Sequence, residues 1–371
     1  MSEFIEDSQR RYSGISSILK IDAKIFIAIL LITFLGLLTI YSSSSGDISL
    51  VIKQATRIVI GIVTMVFIAQ VHPDNLRLFA PFLYFVTFIL LVAVLFFGVG
   101  NTADRWLDLY FFRFQPSELM KIFVPLMVAF YYSNKPLPPK SAYLLIASLI
   151  VLVPVLMIMK QPDLGTALLI GMSGAIAILL AGISLKFFLG SSLTIILLAP
   201  VLWMNMHDYQ KQRVLTFFDP ESDPMGAGYH LLQSKIALGS GGFFGKGLFN
   251  GTQSKLGFVP EHSTDFIFSA FGEEFGFLGV LLLLCLYLFI ALRGLSISVK
   301  ATDNFGRILS GTLSLTLFLY VIVNVGMVIG FLPVVGAPLP FMSYGGTSMV
   351  TLFATVGIIM SIKSHQRILR K

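Results

Sequence analysis

The chain has 371 residues, a length that ordinarily means two or three soluble domains, yet 56% of them are hydrophobic and only 12% are charged. A soluble globular protein carries roughly 25% charged residues, and so sparse a set cannot coat a water-facing surface of this size. The composition therefore excludes a soluble protein and predicts an integral membrane one. The net charge of +7 does not point to nucleic acid, because the basic residues form no long block and sit in short gaps between apolar runs. The single cysteine, Cys285, lies inside an apolar run, so neither a disulfide framework nor a cysteine metal site is expected. His72, His207, His230, His262 and His365 include no pair at helical i, i+3 or i+4 spacing, which argues against a helical metal site.

In chain order, a polar N-terminal stretch comes first. Only Ser42 to Ser45 come near a small-residue cleavage site, so the first apolar run reads as an uncleaved span. Apolar windows of spanning length lie at 24–42, 51–70, 78–98, 117–132, 142–159, 166–182, 187–206, 266–292, 308–330 and 347–362. At roughly 1.5 Å per residue, about 20 residues cross a hydrocarbon core of about 30 Å. The windows lack the alternation of a membrane barrel, so helices are predicted. With the N-terminus inside, the inner segments carry most of the basic residues, among them Arg10, Arg11, Lys20, Lys24, Arg293, Lys300, Arg307, Lys363, Arg367 and Lys371. The short outer connections carry fewer, which places both termini in the cytoplasm. The expected fold is one all-α polytopic membrane domain over 1–371, with ten transmembrane helices. Its large extracytoplasmic loop, 207–265, joins helices 7 and 8. The inner face then has no room for a nucleotide-hydrolysing domain, so the chemistry is expected outside.

Five outer segments hold the informative polar residues. Arg105-Trp106-Leu107-Asp108 is followed by Phe114-Gln115-Pro116-Ser117-Glu118 and Lys121. Pro116 suits a first helical position and Glu118 the positive end of the helix dipole, and Glu118 and Lys121 can pair at i, i+3. Gln161-Pro162-Asp163-Leu164-Gly165-Thr166 is turn chemistry, as a hairpin between two spans requires. In the long loop, residues 229–238 read as a short helix on the membrane surface. The following Gly239-Ser240-Gly241-Gly242-Phe243-Phe244-Gly245-Lys246-Gly247 lacks the spacing of a P-loop. Two readings remain for it: a backbone cradle in which Lys246 meets a phosphate, or a flexible hinge. Asp265 stands where the loop enters a span, either as a helix cap or as a partly desolvated carboxylate suited to accept a proton. Glu273 and Glu274 lie deeper, where adjacent carboxylates are costly, so at least one is expected to face the bundle interior and pair there. The proline- and glycine-rich run 333–347, containing Ser343, reads as a re-entrant or bent segment buried in protein. Gly326-x-x-x-Gly330 just before it permits close helix contact, within the bundle or with a partner.

These motifs, in this order along almost the whole chain, resemble the SEDS family of bacterial cell-wall polymerases. Particularly specific are Phe114-Gln115-Pro116-Ser117-Glu118, Gln161 to Thr166, Gly228-Tyr229-His230, Gly239 to Gly242, Thr264-Asp265-Phe266, Glu273-Glu274, Pro338-Leu339-Pro340 and Ser343-Tyr344-Gly345-Gly346. The resemblance implies a peptidoglycan glycosyltransferase in the bacterial inner membrane that uses lipid II, a disaccharide-pentapeptide on undecaprenyl pyrophosphate. It also implies a class B penicillin-binding transpeptidase as partner, within the cell-elongation complex. The family's essential aspartate falls on Asp265, and its helix-4 Glu and Lys on Glu118 and Lys121. One departure is His262, displaced by one position with Ser263 in its place, which weakens any catalytic role for that histidine. The Asp219 to Pro224 and Gly228-Tyr229-His230 stretches look more like the elongation branch than the division branch.

Under this resemblance, Asp265 is the expected base of an inverting displacement, or else the ligand of a divalent cation such as Mg or Mn. Arg105, Glu118, Lys121, Asp163, Lys246 and Ser343 are the expected substrate-binding residues. Glu273, Glu274, Gly326 and Gly330 are expected to be structural or partner-facing. Two rival functions share the topology. A lipid II flippase would favour ionisable groups at the midplane and repeated halves, neither of which the sequence shows; a scaffold without chemistry would need only the helix-packing glycines.

Overall fold

The computed structural model describes residues 20–100, 105–108, 113–161, 163–183, 208–219, 226–252 and 263–366, with scattered positions between 187 and 206. Its helices are α1 (Ala23–Ser43), α2 (Ile48–Gln70), α3 (Pro73–Phe97), α4 (Pro116–Tyr132), α5 (Ser141–Lys160), α6 (Leu164–Ala181), α7 (Asp208–Phe218), α8 (Ala227–Ser240), α9 (Ile267–Lys300), α10 (Asn304–Val328) and α11 (Thr347–Ser364). Eight of these, namely α1, α2, α3, α5, α6, α9, α10 and α11, are long and apolar enough to cross a membrane. Of the other two expected spans, α4 has 17 residues, and window 187–206 falls largely outside the described residues. Among the described residues, the strands are a two-residue antiparallel ribbon of β1 (Leu107–Asp108) and β2 (Arg113–Phe114) just before α4.

Short connections make sequential helices antiparallel, so each end of the bundle collects alternate termini. One end is tied by Asp22, which caps α1 through the Lys24 and Ile25 amides and receives Arg293 Nε (3.1 Å) from α9 and Lys363 Nζ (2.7 Å) from α11. Burial alone would raise the Asp22 carboxyl pKa. The Lys363 hydrogen bond and charge, the Ile25 amide and Arg293 together outweigh it and hold the group below its ordinary value. The opposite end gathers the loops and adjoining helix ends that contain the candidate site residues.

Helix α10 is the hub, packing against α4, α6, α8, α9 and α11. Of its most apolar stretch 72% is buried, against 22% for α2. Small residues allow this: Gly294 of α9 lies directly on Ser314 of α10, and Gly311 of α10 lies within 2.7 Å of Ser298 Oγ where its Cβ would be. The outer helices show the reverse pattern. On α3, Leu78, Phe82, Ile89 and Phe96 are exposed, an apolar surface that lipid covers.

The sequence places a span at 266–292, and within it α9 breaks at Gly276, whose φ of 66° and ψ of −166° are tolerated essentially only by glycine. The break exchanges partners with the glycine-rich turn after α8. Phe277 and Leu278 amides donate to Gly242 O (3.0 Å) and Phe243 O (3.2 Å), while Glu273 and Glu274 carbonyls accept from Lys246 N (3.0 Å) and Gly247 N (3.0 Å). In an unbroken helix those two carbonyls would have served those two amides. No backbone group is lost, which is the condition for broken helix inside a membrane protein. The turn is thus neither a hinge nor an open cradle, since the Gly245, Lys246 and Gly247 amides are all engaged by protein carbonyls.

Candidate functional site

Asp265 is presented by a backbone held on three consecutive carbonyls. Ser263 O accepts from Tyr344 N (2.7 Å), Thr264 O from Ser343 Oγ (2.6 Å), and Asp265 O from Asn324 Nδ2 (2.8 Å). The N-cap position of α9 is taken by Phe266, which makes no side-chain cap bond, so capping does not account for the aspartate. Its carboxylate lies against the 336 turn: a Cβ on Gly336 (φ 72°) would stand 3.3 Å from Asp265 Oδ2.

Segment 333–343 is irregular: Pro333 to Val335 are half-buried and Gly336 is exposed, while Ala337 and Leu339 to Ser343 are buried, where polar groups must be satisfied without water. Ala337 O accepts from Asn324 Nδ2 (2.7 Å), Leu339 N donates to Ser343 Oγ (2.8 Å), and Pro340 O accepts from Tyr287 Oη (2.5 Å). Gln54 of α2 clasps the far side, donating to Ser343 O (3.0 Å) and accepting from Gly345 N (3.3 Å).

The same segment walls two further polar groups. On one side, Gly165 at the start of α6 packs directly on Val335 O. There Asp163 caps α6 through Thr166 N (3.2 Å), accepts from Gln115 Nε2 (3.0 Å) and pairs with Arg105 Nη1 (3.7 Å). A cavity of about 30 Å³ opens beside it, lined by Arg105, Asp163, Gln210, Arg213 and Pro333 to Val335. The lining thus brings two guanidinium groups, the side chains best suited to phosphate oxygens, beside the Asp163 carboxylate. On the other side, Lys121 Nζ bonds Glu118 Oε1 at 2.6 Å, Thr351 Oγ1 donates to Glu118 Oε2 (3.4 Å), and the ammonium stands 5.2 Å from the Tyr320 ring. These groups line a cavity of about 20 Å³ that also touches Thr316 and Pro338, room for about one water. Asp265, Arg105, Asp163, Glu118, Lys121 and Ser343 thus converge on one bent segment.

The other expected residues lie elsewhere. Lys246, in the turn after α8, bonds Glu273 Oε1 through Nζ at 2.7 Å, and Glu273 is eight residues beyond Asp265, about 12 Å of helix. The same oxygen accepts from Thr252 N (2.8 Å) and Oγ1 (3.0 Å). Glu274 accepts from Ser42 Oγ, which itself accepts from Phe249 N (2.7 Å), so this carboxylate joins α1, the turn and α9. Gly326 and Gly330 both face the chain itself: Gly326 O accepts from Phe331 N (2.7 Å) and Leu332 N (3.1 Å), and Gly330 lies against Lys235 of α8. Helix α8 is buried through Leu231, Ser234 and Ala237, with Ser234 Oγ donating to Val328 O (2.9 Å), so it packs on the bundle as well as on any membrane surface. Sequence reasoning passed over Asn324, Gln54 and Arg213. A lone amide within the apolar window 308–330 was a usable signal for Asn324, since polar groups in spans are costly; nothing in the local sequence marks Gln54. Glu261 and His262 lie outside the described residues. Among the described residues, no three His, Cys, Asp or Glu side chains gather as a metal site.

This architecture, a multi-pass helical membrane protein with a polar site under a bent segment at one end, has clear relatives. The family model of the FtsW, RodA and SpoVE cell cycle proteins matches residues 22–368. The peptidoglycan glycosyltransferase MrdB of Escherichia coli K12 is 47% identical over 353 residues, covering 95% of each chain. The probable peptidoglycan glycosyltransferase FtsW of Trichlorobacter lovleyi is 34% identical, covering 92% of this chain and 93% of its own. A chain from a peptidoglycan synthase complex, solved for its coordination of polymerization and crosslinking, superposes with a TM-score of 0.81 at 27% identity, over 93% of this chain and 98% of that one. The chain belongs to the FtsW/RodA/SpoVE family.

Proposed function

We propose that the chain is a peptidoglycan glycosyltransferase that polymerises lipid II at the end of the bundle where Asp265 lies. The 47% identity to MrdB, against 34% to the FtsW relative, favours the elongation branch. The basic residues at the Asp22 end, including Lys24, Arg293, Lys300 and Lys363, make that end cytoplasmic and the Asp265 end external. On this reading α4 and window 187–206 complete ten spans, both termini are cytoplasmic, and 207–265 is the external loop. The similar synthase complex supports a class B penicillin-binding transpeptidase as partner.

The observation that carries the reaction is that Asp265 and the Arg105–Asp163–Arg213 cavity both border the same short stretch, Val335-Gly336. The acceptor sugar hydroxyl attacks the donor's anomeric carbon, the new C–O bond forming as the bond to pyrophosphate breaks. The hydroxyl proton passes to the Asp265 carboxylate, and undecaprenyl pyrophosphate leaves with the bonding electrons. Arg105 and Arg213 stabilise the charge gathering on the leaving group, and Lys121, held by Glu118, adds to the positive field from the neighbouring cavity. In the alternative role, the Asp265 carboxylate would hold a divalent cation such as Mg or Mn instead of taking the proton. A bound cation would supply charge neutralisation to the pyrophosphate.

The test is polymerisation of labelled lipid II by the purified chain with its transpeptidase partner, with and without EDTA, beside Asp265→Ala. Glycan ladders that vanish in a folded Asp265→Ala are expected; normal turnover by that variant overturns the reading.

A further inference from the structure

Asn324 sits one turn before the end of α10 and is completely buried, at 0% exposure. Its Nδ2 donates to Asp265 O (2.8 Å) and to Ala337 O (2.7 Å). Two carbonyl acceptors fix the orientation of the amide, because the flipped form would set Oδ1 against both of them. The observed orientation leaves Oδ1 buried with no hydrogen-bond partner among the described residues. A buried acceptor in that state is disfavoured, and a leucine of similar size would avoid it. The position therefore keeps its amide for what Nδ2 does.

Nδ2 joins the two pieces of chain whose separation defines the site. Asp265 O belongs to the residue proposed as base, and Ala337 O follows Gly336, against which that residue's carboxylate rests. The Ser343 and Tyr344 clamps hold the two preceding carbonyls from within the bent segment itself. Asn324 acts from α10, the most buried span, and references both pieces to the rigid centre of the bundle. We infer that Asn324 is a positioning residue for glycosyl transfer, setting the Asp265 carboxylate against the Gly336 turn without touching substrate. This rests on Asp265 being the base, as proposed above.

The experiment compares wild type, Asn324→Leu, Asn324→Gln and Asp265→Ala as full-length chains with the transpeptidase partner, measuring kcat and KM for lipid II together with thermal stability. A misplacement of about 1 Å costs on the order of 10²-fold in rate. Asn324→Leu should therefore lose roughly that much in kcat with KM within about twofold of wild type, and Asn324→Gln, which keeps the amide one methylene further out, should recover part of the loss. If the leucine variant does not fold, the glutamine variant carries the test, with reduced kcat at unchanged KM expected. Wild-type kcat in a folded Asn324→Leu, or losses that track thermal stability alone, would overturn the positioning role while an inactive Asp265→Ala leaves the base intact. An active Asp265→Ala would instead remove the base itself.

Discussion

Lys246→Met offers the sharpest contrast between a residue that binds substrate and one that holds the fold. Its side chain is 27% exposed, but that of its partner Glu273 is 0% exposed, and Oε1 receives Lys246 Nζ, Thr252 N and Thr252 Oγ1. Removing the lysine leaves a buried carboxylate with hydrogen bonds but without its cation. Breaking a buried ion pair on one side costs roughly 3–5 kcal/mol. The two Thr252 bonds and the solvent at the lysine reduce this to about 2–3 kcal/mol. A protein of this size loses roughly 1–2 °C of melting temperature per kcal/mol, so a drop of about 3–5 °C is expected in thermal unfolding in detergent. Lys246→Met/Glu273→Gln should regain most of it, because the buried charge disappears. The lipid II KM should change little in either variant. An unchanged melting temperature with KM raised several-fold would refute this reasoning and assign Lys246 to the substrate.

Gly276→Ala should destabilise by about 2 kcal/mol or more, because alanine is strained at this backbone conformation and its Cβ would strike the Gly245 amide; wild-type thermal stability in that variant would mean that the kink is not required. Asp22 gives a pH dependence. Its folded pKa lies below its ordinary value, so its contribution is fully present above pH about 4 and is lost as pH falls through the lower folded value. Asp22→Asn should therefore lower stability near neutral pH and flatten the acid limb of a melting-temperature profile; identical acid limbs would exclude Asp22 as its source.

The helices were legible because lipid imposes a simple rule. Runs such as 78–98 and 308–330 must be apolar and about 20 residues long, and they appear as α3 and α10 with ends shifted by a few residues. What the runs do not say is which faces meet. Helices α3 and α10 both qualify as spans, yet one presents phenylalanines to lipid and the other is the buried hub, a difference decided by Gly311, Ser314 and their partners on α9. The break at Gly276 was equally hidden. A glycine in an apolar run signals close packing as readily as a kink, and only the partner exchange with 242–247 distinguishes them.

The candidate site divides in the same way. Composition alone determined that this is a membrane protein, and the order of its polar motifs determined its family and singled out Asp265, Asp163 and the Glu118–Lys121 pair. These are local properties, because charges are scarce in spans and each survivor stands out. The tertiary structure decided that segment 333–343 is the common wall of three polar groups, that Lys246 holds Glu273 two turns away from Asp265, and that Asn324 grips Asp265 and Ala337 with a single amide. Those facts join residues far apart in the chain. A hydrogen bond between residues 265 and 324 leaves no periodic trace in either segment, so the folded bundle is where it is first expressed.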